Sequence, residues 1–80
     1  MNQKVIAAIA MYIINRRVDQ NTIADELGIS ASYLSQLLNG TRPITANVLY
    51  RWNNAYGSDP DAAAAKVLMQ NELDARIRVI

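Results

Sequence analysis

Two short helical patterns stand almost end to end between Gln20 and Gly40. The first ends at Leu27 and the second follows Ser30, so only one tight turn fits between them. Gly28 can take the positive φ that such a turn requires, and Ala24 is small where the two helices must approach closely. Apolar residues at helical spacing supply a seam that locks the pair: Ile23, Leu27, Ile29, Leu34 and Leu37. The segment therefore predicts a rigid helix-turn-helix.

Helix start and stop signals recur along the whole chain. Polar N-cap residues stand at Asp19, Ser30 and Thr45, and Asp59 with Pro60 opens a last helix. Apolar pairs placed as hydrophobic staples flank the three caps: Val18 with Ile23, Ile29 with Leu34, and Ile44 with Leu49. Glycines that we expect to end helices through positive φ are Gly28, Gly40 and Gly57. The resulting helices are Gln3 to Arg16, Gln20 to Leu27, Ser30 to about Asn39, Thr45 to Tyr56, and Pro60 to about Arg76.

Apolar residues recur at helical spacing in each of the three helices outside the motif. These residues are Val5, Ile6, Ile9, Ala10 and Ile13 in the first helix, Val48, Leu49, Trp52 and Tyr56 in the fourth, and Ala62 to Ala65 with Val67, Leu68 and Leu73 in the last. The spacing of Trp52 favours a core position over a ligand platform. We predict an all-α fold of five helices, with residues 1–80 forming one domain.

Composition limits the chemistry of the chain. Cysteine and histidine are both absent, which removes thiolate zinc sites, the usual general base and the commonest nitrogen ligand for metals. We expect no catalytic site, no metal and no cofactor. No stretch reaches the ~20 apolar residues of a membrane span. The apolar run from Val5 to Ile14 contains Tyr12 and lacks a convincing cleavage site, so we interpret it as a core helix rather than a signal peptide. A cytoplasmic location is the expectation.

The motif itself resembles that of a known family. The pattern Gln20-x-x-Ile23-Ala24-x-x-Leu27-Gly28-Ile29-Ser30-x-x-x-Leu34-Ser35-x-Leu37-x-x-Gly40 is similar to the helix-turn-helix of the lambda-repressor and Cro (XRE-type) family. It covers about a quarter of the chain, and the helices on both sides agree with the family's arrangement. The resemblance implies a five-helix lambda-repressor-like domain that binds double-stranded DNA. A net charge of only +1 departs from the basic excess usual in such proteins.

The second helix of the motif would be the recognition helix. Its exposed face contains no acid and reads Ala31, Ser32, Tyr33, Ser35, Gln36 and Asn39. By resemblance, Ala31, Ser32 and Gln36 fall where the family's helix meets bases. Gln36 is the main candidate because an amide can pair with adenine, Ala31 can contact only a thymine methyl, and Tyr33 is expected on a base or a phosphate. The alternatives are that Gln36 is an ordinary surface residue, or that the motif serves packing or protein contact alone.

Phosphate contacts are expected on both sides of this helix. Gln20 and Asn21 stand at a helix N-terminus, where free amides and the dipole favour an anion, and the resemblance also places a backbone contact at Gln20. Asn39, Thr41 and Arg42 follow the recognition helix and are further candidates. Arg42 is the more telling of these, because a cation beside the recognition helix has an obvious use; the alternative is a solvated loop charge. The Arg16-Arg17 pair ends the first helix, where either cation could reach the DNA backbone.

Two roles stay open for such a protein. The first is a transcriptional repressor of phage or plasmid type that occupies an operator. We expect no sensor or self-cleaving domain, and therefore a Cro-like protein or short immunity repressor. The second is the DNA-binding antitoxin of a toxin–antitoxin pair, whose last helix would contact the toxin. An enzyme has little support, because no set of Asp, Glu or Ser residues converges.

The working unit is expected to be a homodimer on an inverted-repeat operator. One recognition helix touches few base pairs, and a two-fold axis would double its contacts. The segment 59–80 is the expected interface because it carries more apolar residues than one small core hides easily: Val67, Leu68, Leu73, Ile77, Val79 and Ile80. The alternative is that this helix folds entirely onto its own domain.

Overall fold

The computed structural model describes residues 3–78, with side chains for residues 3–76. These residues form five α-helices and no strand, which confirms the all-α prediction. The helices are α1 (Gln3–Arg16), α2 (Gln20–Leu27), α3 (Ala31–Leu38), α4 (Ala46–Tyr56) and α5 (Ala63–Arg78), with a 3-10 turn at Pro60–Ala62. None of the helices in the described part of the chain is long and apolar enough to cross a membrane.

The predicted N-caps begin the helices through side-chain hydrogen bonds. Asp19 accepts from the Thr22 amide at 2.8 Å, Ser30 from that of Tyr33 at 3.0 Å, and Thr45 from that of Val48 at 3.3 Å. Ser30 and Thr45 have extended backbones outside their helices, so α3 and α4 each begin one residue later than predicted. At the last helix, Asp59 accepts from the Asp61 amide at 2.9 Å, and a 3-10 turn precedes the α-helix.

The glycines divide into two kinds. Gly28 and Gly40 have φ of 73° and 82°, as predicted. The prediction for Gly57 is wrong, because its φ is −61°. Gly57 is required by close approach instead, since a Cβ there would lie 2.4 Å from the carbonyl oxygen of Asn53. Arg17, which no sequence signal marks, ends α1 with a φ of 58°.

The core lies between α1, α4 and α5 and continues into the seam of α2 and α3. Trp52 is 1% exposed, its indole N–H donates to the Ala62 carbonyl at 3.1 Å, and its ring packs against Tyr12 and Tyr56. The position of Trp52 in the core is therefore confirmed. The seam residues are buried as predicted, with Ile29 half-buried.

The apolar face of α1 differs from the prediction, whereas α5 leaves apolar residues outside its buried stripe. On α1, Tyr12 is buried while Ile6 and Ala10 are only half-buried. On the last helical segment the buried stripe is Ala62, Ala65 and Met69, and the two small alanines let this segment lie against α1 and α4. Val67 is therefore 56% exposed, and Leu68 and Leu73 are half-buried. The Ile77 side chain, Val79 and Ile80, expected in the dimer surface, lie outside the described residues.

Candidate nucleic-acid interface

The turn between α2 and α3 is held by its own backbone. The Gly28 amide donates to the Asp25 carbonyl at 3.1 Å, and the Ile29 amide donates to the Ala24 carbonyl at 3.0 Å. This pair of bonds, with Gly28 in the left-handed region, is a Schellman motif. It satisfies the carbonyls of Ala24 and Asp25 near the end of α2 and fixes the direction in which the chain enters α3.

A side chain from α4 reinforces the same turn. Nη1 of Arg51 donates to the carbonyls of Leu27 and Gly28, each at 3.2 Å. A Cβ on Gly28 would lie 2.7 Å from this nitrogen, so the glycine also leaves room for the guanidinium. Sequence reasoning missed Arg51, because a cation within an amphipathic helix gives no signal of a carbonyl 23 residues earlier.

The outward face of α3 carries the predicted base-contacting residues. Ala31, Ser32 and Ser35 are exposed, and Gln36 is half-buried. Tyr33 is also half-buried and packs against the core, so part of its side chain helps to hold α3 on the domain. Leu34 and Leu37, each 1% exposed, anchor the opposite side of the helix. The rigid scaffold thus presents short polar side chains that can donate to and accept from base edges.

Gln36 and Arg42 are joined at the C-terminal end of α3. The Arg42 Nε–H donates to Oε1 of Gln36 at 3.2 Å. The backbone amides of Thr41 and Arg42 also donate to the Gln36 carbonyl, at 2.9 and 3.2 Å. The loop after α3 therefore folds back onto the last turn of the helix, and Arg42 is attached to it.

Asn39 and Thr41 form a local hydrogen-bonded turn in this loop. Oδ1 of Asn39 accepts from the Thr41 amide at 2.9 Å and from the Thr41 hydroxyl. Both residues are exposed. Because the Asn39 oxygen is engaged within the loop, its NH2 group is the part left for an external acceptor such as a phosphate oxygen.

The N-terminus of α2 carries the remaining phosphate candidates. Gln20 and Asn21 are exposed, and Gln20 lines a shallow apolar groove of about 240 Å³ together with Leu38. The start of α2 therefore lies beside the end of α3. The Asp19 carboxylate accepts a hydrogen bond from the Thr22 amide, and this bond holds the pKa of Asp19 below its usual range. An incoming phosphate would have the first free amides of α2 but would also meet this charge.

One acidic residue of α2, Glu26, is paired with a cation of α1. Arg16 makes two bonds to Glu26, at 2.5 Å between Nη1 and Oε1 and 3.2 Å between Nη2 and Oε2. The Tyr56 hydroxyl donates to the same carboxylate at 2.7 Å. Hydrogen bonds from Arg16, then from Tyr56, lower the pKa of Glu26, and burial raises the pKa of Tyr56. Of the two arginines ending α1, Arg16 is thus committed to this pair, while Arg17 is exposed.

Comparison with known proteins agrees with this architecture. A family model described as helix-turn-helix matches residues 9–62, which include α2, α3, α4 and most of α1. No curated protein and no solved structure gives a significant match. The matched family is that of XRE or lambda-repressor-like regulators, which are typically not enzymes. The chain belongs to this helix-turn-helix family of DNA-binding transcription regulators.

Proposed function

We propose that the protein is a Cro-like or short phage- or plasmid-type repressor that acts by occupying its operator. The observation that carries this proposal is the outward face of α3, which is free of acids and held rigidly by the α2–α3 turn. The proposed base contacts are Ala31, Ser32, Tyr33 and Gln36. Operator occupancy needs no cofactor and no catalytic group. The proposed role also puts the protein in the cytoplasm, as one domain of residues 1–80.

The proposed phosphate contacts come from two neighbouring segments. Gln20 and Asn21 begin α2, and Asn39, Thr41 and Arg42 follow α3. The groove lined by Gln20 and Leu38 supports this proposal, because Leu38 directly precedes the segment that contains Asn39, Thr41 and Arg42. Contacts of this kind fix register on the duplex, and the side chains of α3 then read the bases.

Selection from a pool of random duplexes tests the proposal. We expect one sequence to be enriched and the affinity of the protein for it to fall steeply with salt. Each neutralised phosphate releases counterions and contributes about −0.9 to the slope of log binding constant against log salt concentration. A folded protein that enriches no sequence at low salt would refute operator binding. Equal binding to all sequences would show that the protein associates with DNA without sequence preference, and the operator proposal would fail.

We further propose a homodimer on an inverted repeat, with half-site centres about 34 Å apart. The exposed Val67 supports an interface on segment 59–80, since burying this apolar side chain against a partner would be favourable. Val67→Asp should abolish dimerisation in sedimentation at micromolar concentration while preserving the monomer fold. Lys66→Asp, on a neighbouring face of α5, is the matched control. A wild-type monomer that binds one half-site as tightly as the palindrome would contradict the dimer.

The antitoxin role is the second candidate, and the same exposed Val67 favours it, because a toxin could cover α5 in place of a second copy. Co-expression with the product of an adjacent gene distinguishes the two roles. A stable complex that neutralises a toxic product and is broken by Val67→Asp would favour the antitoxin.

A further inference from the structure

We infer that Arg42 is a positioning residue for base recognition: it fixes the orientation of the Gln36 amide, so that Gln36 presents its NH2 group to the DNA. This inference rests on the proposed function and adds a specificity determinant to it. It also replaces the simpler view of Arg42 as a phosphate contact alone.

The argument begins with the chemistry of the two side chains. A guanidinium has only donors, whereas an amide has a carbonyl oxygen at one end and an NH2 group at the other. The group of Gln36 that faces the Arg42 Nε–H at 3.2 Å must therefore be Oε1. Without Arg42 the amide could turn over at little cost, and either end could face a base.

The geometry keeps the two side chains together. Two backbone amides of the loop donate to the Gln36 carbonyl, so the Cα atom of Arg42 is held next to the last turn of α3. Gln36 is half-buried, which limits its rotamers, and Arg42 is exposed. The bond uses Nε, so both terminal nitrogens of Arg42 stay available for a phosphate. A phosphate bound there would hold the guanidinium in place while Nε holds Gln36.

The consequence is a defined base preference. An outward NH2 group donates to purine N7, to O6 of guanine or to O4 of thymine, but it meets only a donor on the N4 group of cytosine. The base contacted by Gln36 should therefore be discriminated against cytosine by roughly tenfold, as for a single well-placed base contact. Adenine stays compatible, because Oε1 has a second lone pair that can accept from N6.

Three variants separate positioning from charge. Arg42→Lys keeps a cation for the phosphate but removes the Nε–H that lies 3.2 Å from Oε1. Because its single Nζ cannot serve the phosphate and Gln36 from separate nitrogens, affinity and salt dependence should be largely kept while discrimination against cytosine falls to about twofold or less. Arg42→Ala should lose both affinity and discrimination. Gln36→Glu should keep the bond to Arg42 but present an acceptor, so cytosine should become the preferred base at that position.

The measurement is competition binding of the full-length protein to its selected operator and to the three single-base variants at each position. Lys66→Ala removes the same charge from α5 and should leave base preference unchanged, and thermal melting checks that each variant is folded. If Arg42→Lys retains the full wild-type discrimination, Arg42 does not position Gln36. If the wild-type protein selects no operator, the proposed function itself fails, and the two failures are thereby distinguished.

Discussion

Gly28→Ala and Arg51→Ala, made singly and together, form a double-mutant cycle across the α2–α3 turn. Alanine at position 28 must adopt a φ of 73°, which costs about 1–2 kcal/mol for a residue with a Cβ. Its Cβ would also stand 2.7 Å from Nη1 of Arg51. Because that nitrogen is the far end of a flexible side chain, it should move away and lose its bonds to the carbonyls of Leu27 and Gly28.

The magnitude of the coupling follows from those two bonds. A hydrogen bond from a charged donor contributes about 1.5–3 kcal/mol in a buried setting. The two bonds at 3.2 Å are only partly shielded from water, which weakens them. The buried Nε of Arg51 also has no hydrogen-bond partner among the described residues, and its desolvation offsets part of the stabilisation that the bonds provide. We therefore expect Arg51→Ala to cost about 1–2 kcal/mol and Gly28→Ala about 2–4 kcal/mol. The double variant should also cost only about 2–4 kcal/mol, because the same bonds cannot be lost twice.

Urea denaturation followed by circular dichroism measures each free energy of unfolding. Gly40→Ala is the control. Gly40 has a similar φ of 82°, but it lies after α3, away from the carbonyls of Leu27 and Gly28 that Arg51 binds before α3. Its cost should simply add to that of Arg51→Ala. Additivity of Gly28→Ala and Arg51→Ala within about 0.5 kcal/mol would refute the shared-bond reasoning.

Two further predictions concern the packing of the core and the fall in the free energy of unfolding at low pH. Leu34→Ala and Leu37→Ala should each lower the free energy of unfolding by about 2–5 kcal/mol, because both leucines are 1% exposed; unchanged melting together with lost DNA binding would instead make them direct contacts. Since Arg16 lowers the pKa of Glu26 below its ordinary 4.5, the folded state favours the carboxylate, so this stabilisation is present above pH 4.5 and is lost as the pH falls through the lowered value. Glu26→Gln should flatten the acid dependence of unfolding, leaving the contributions of Asp19 and Asp59, whose pKa values are also lowered; an unchanged acid dependence would contradict this assignment.

Local signals predicted the helices well. Asp19, Ser30 and Thr45 act within three residues of themselves, because a cap bonds to an amide in the first turn of its own helix. Gly57 misled the prediction because a glycine after a helix usually signals positive φ, whereas here the constraint is the nearby Asn53 carbonyl. Met69 was missed on α5 for a different reason. The apolar residues of this helix do not gather on one face, so the burial of Met69 depends on which stripe meets α1 and α4, and that is decided by tertiary packing.

The contacts that give this candidate interface its chemistry are those that sequence reasoning could not reach. A pattern can mark Gln36 as exposed on a recognition helix, but it cannot tell which end of the amide faces outward. That depends on Arg42, six residues later, whose reach is set by the fold of the intervening loop. Arg51 likewise acts on a turn 23 residues before it in sequence. Since the motif residues fix the scaffold and these two arginines act on its edges, the direction of α3 and the base preference of this protein should both depend on residues outside the recognition helix.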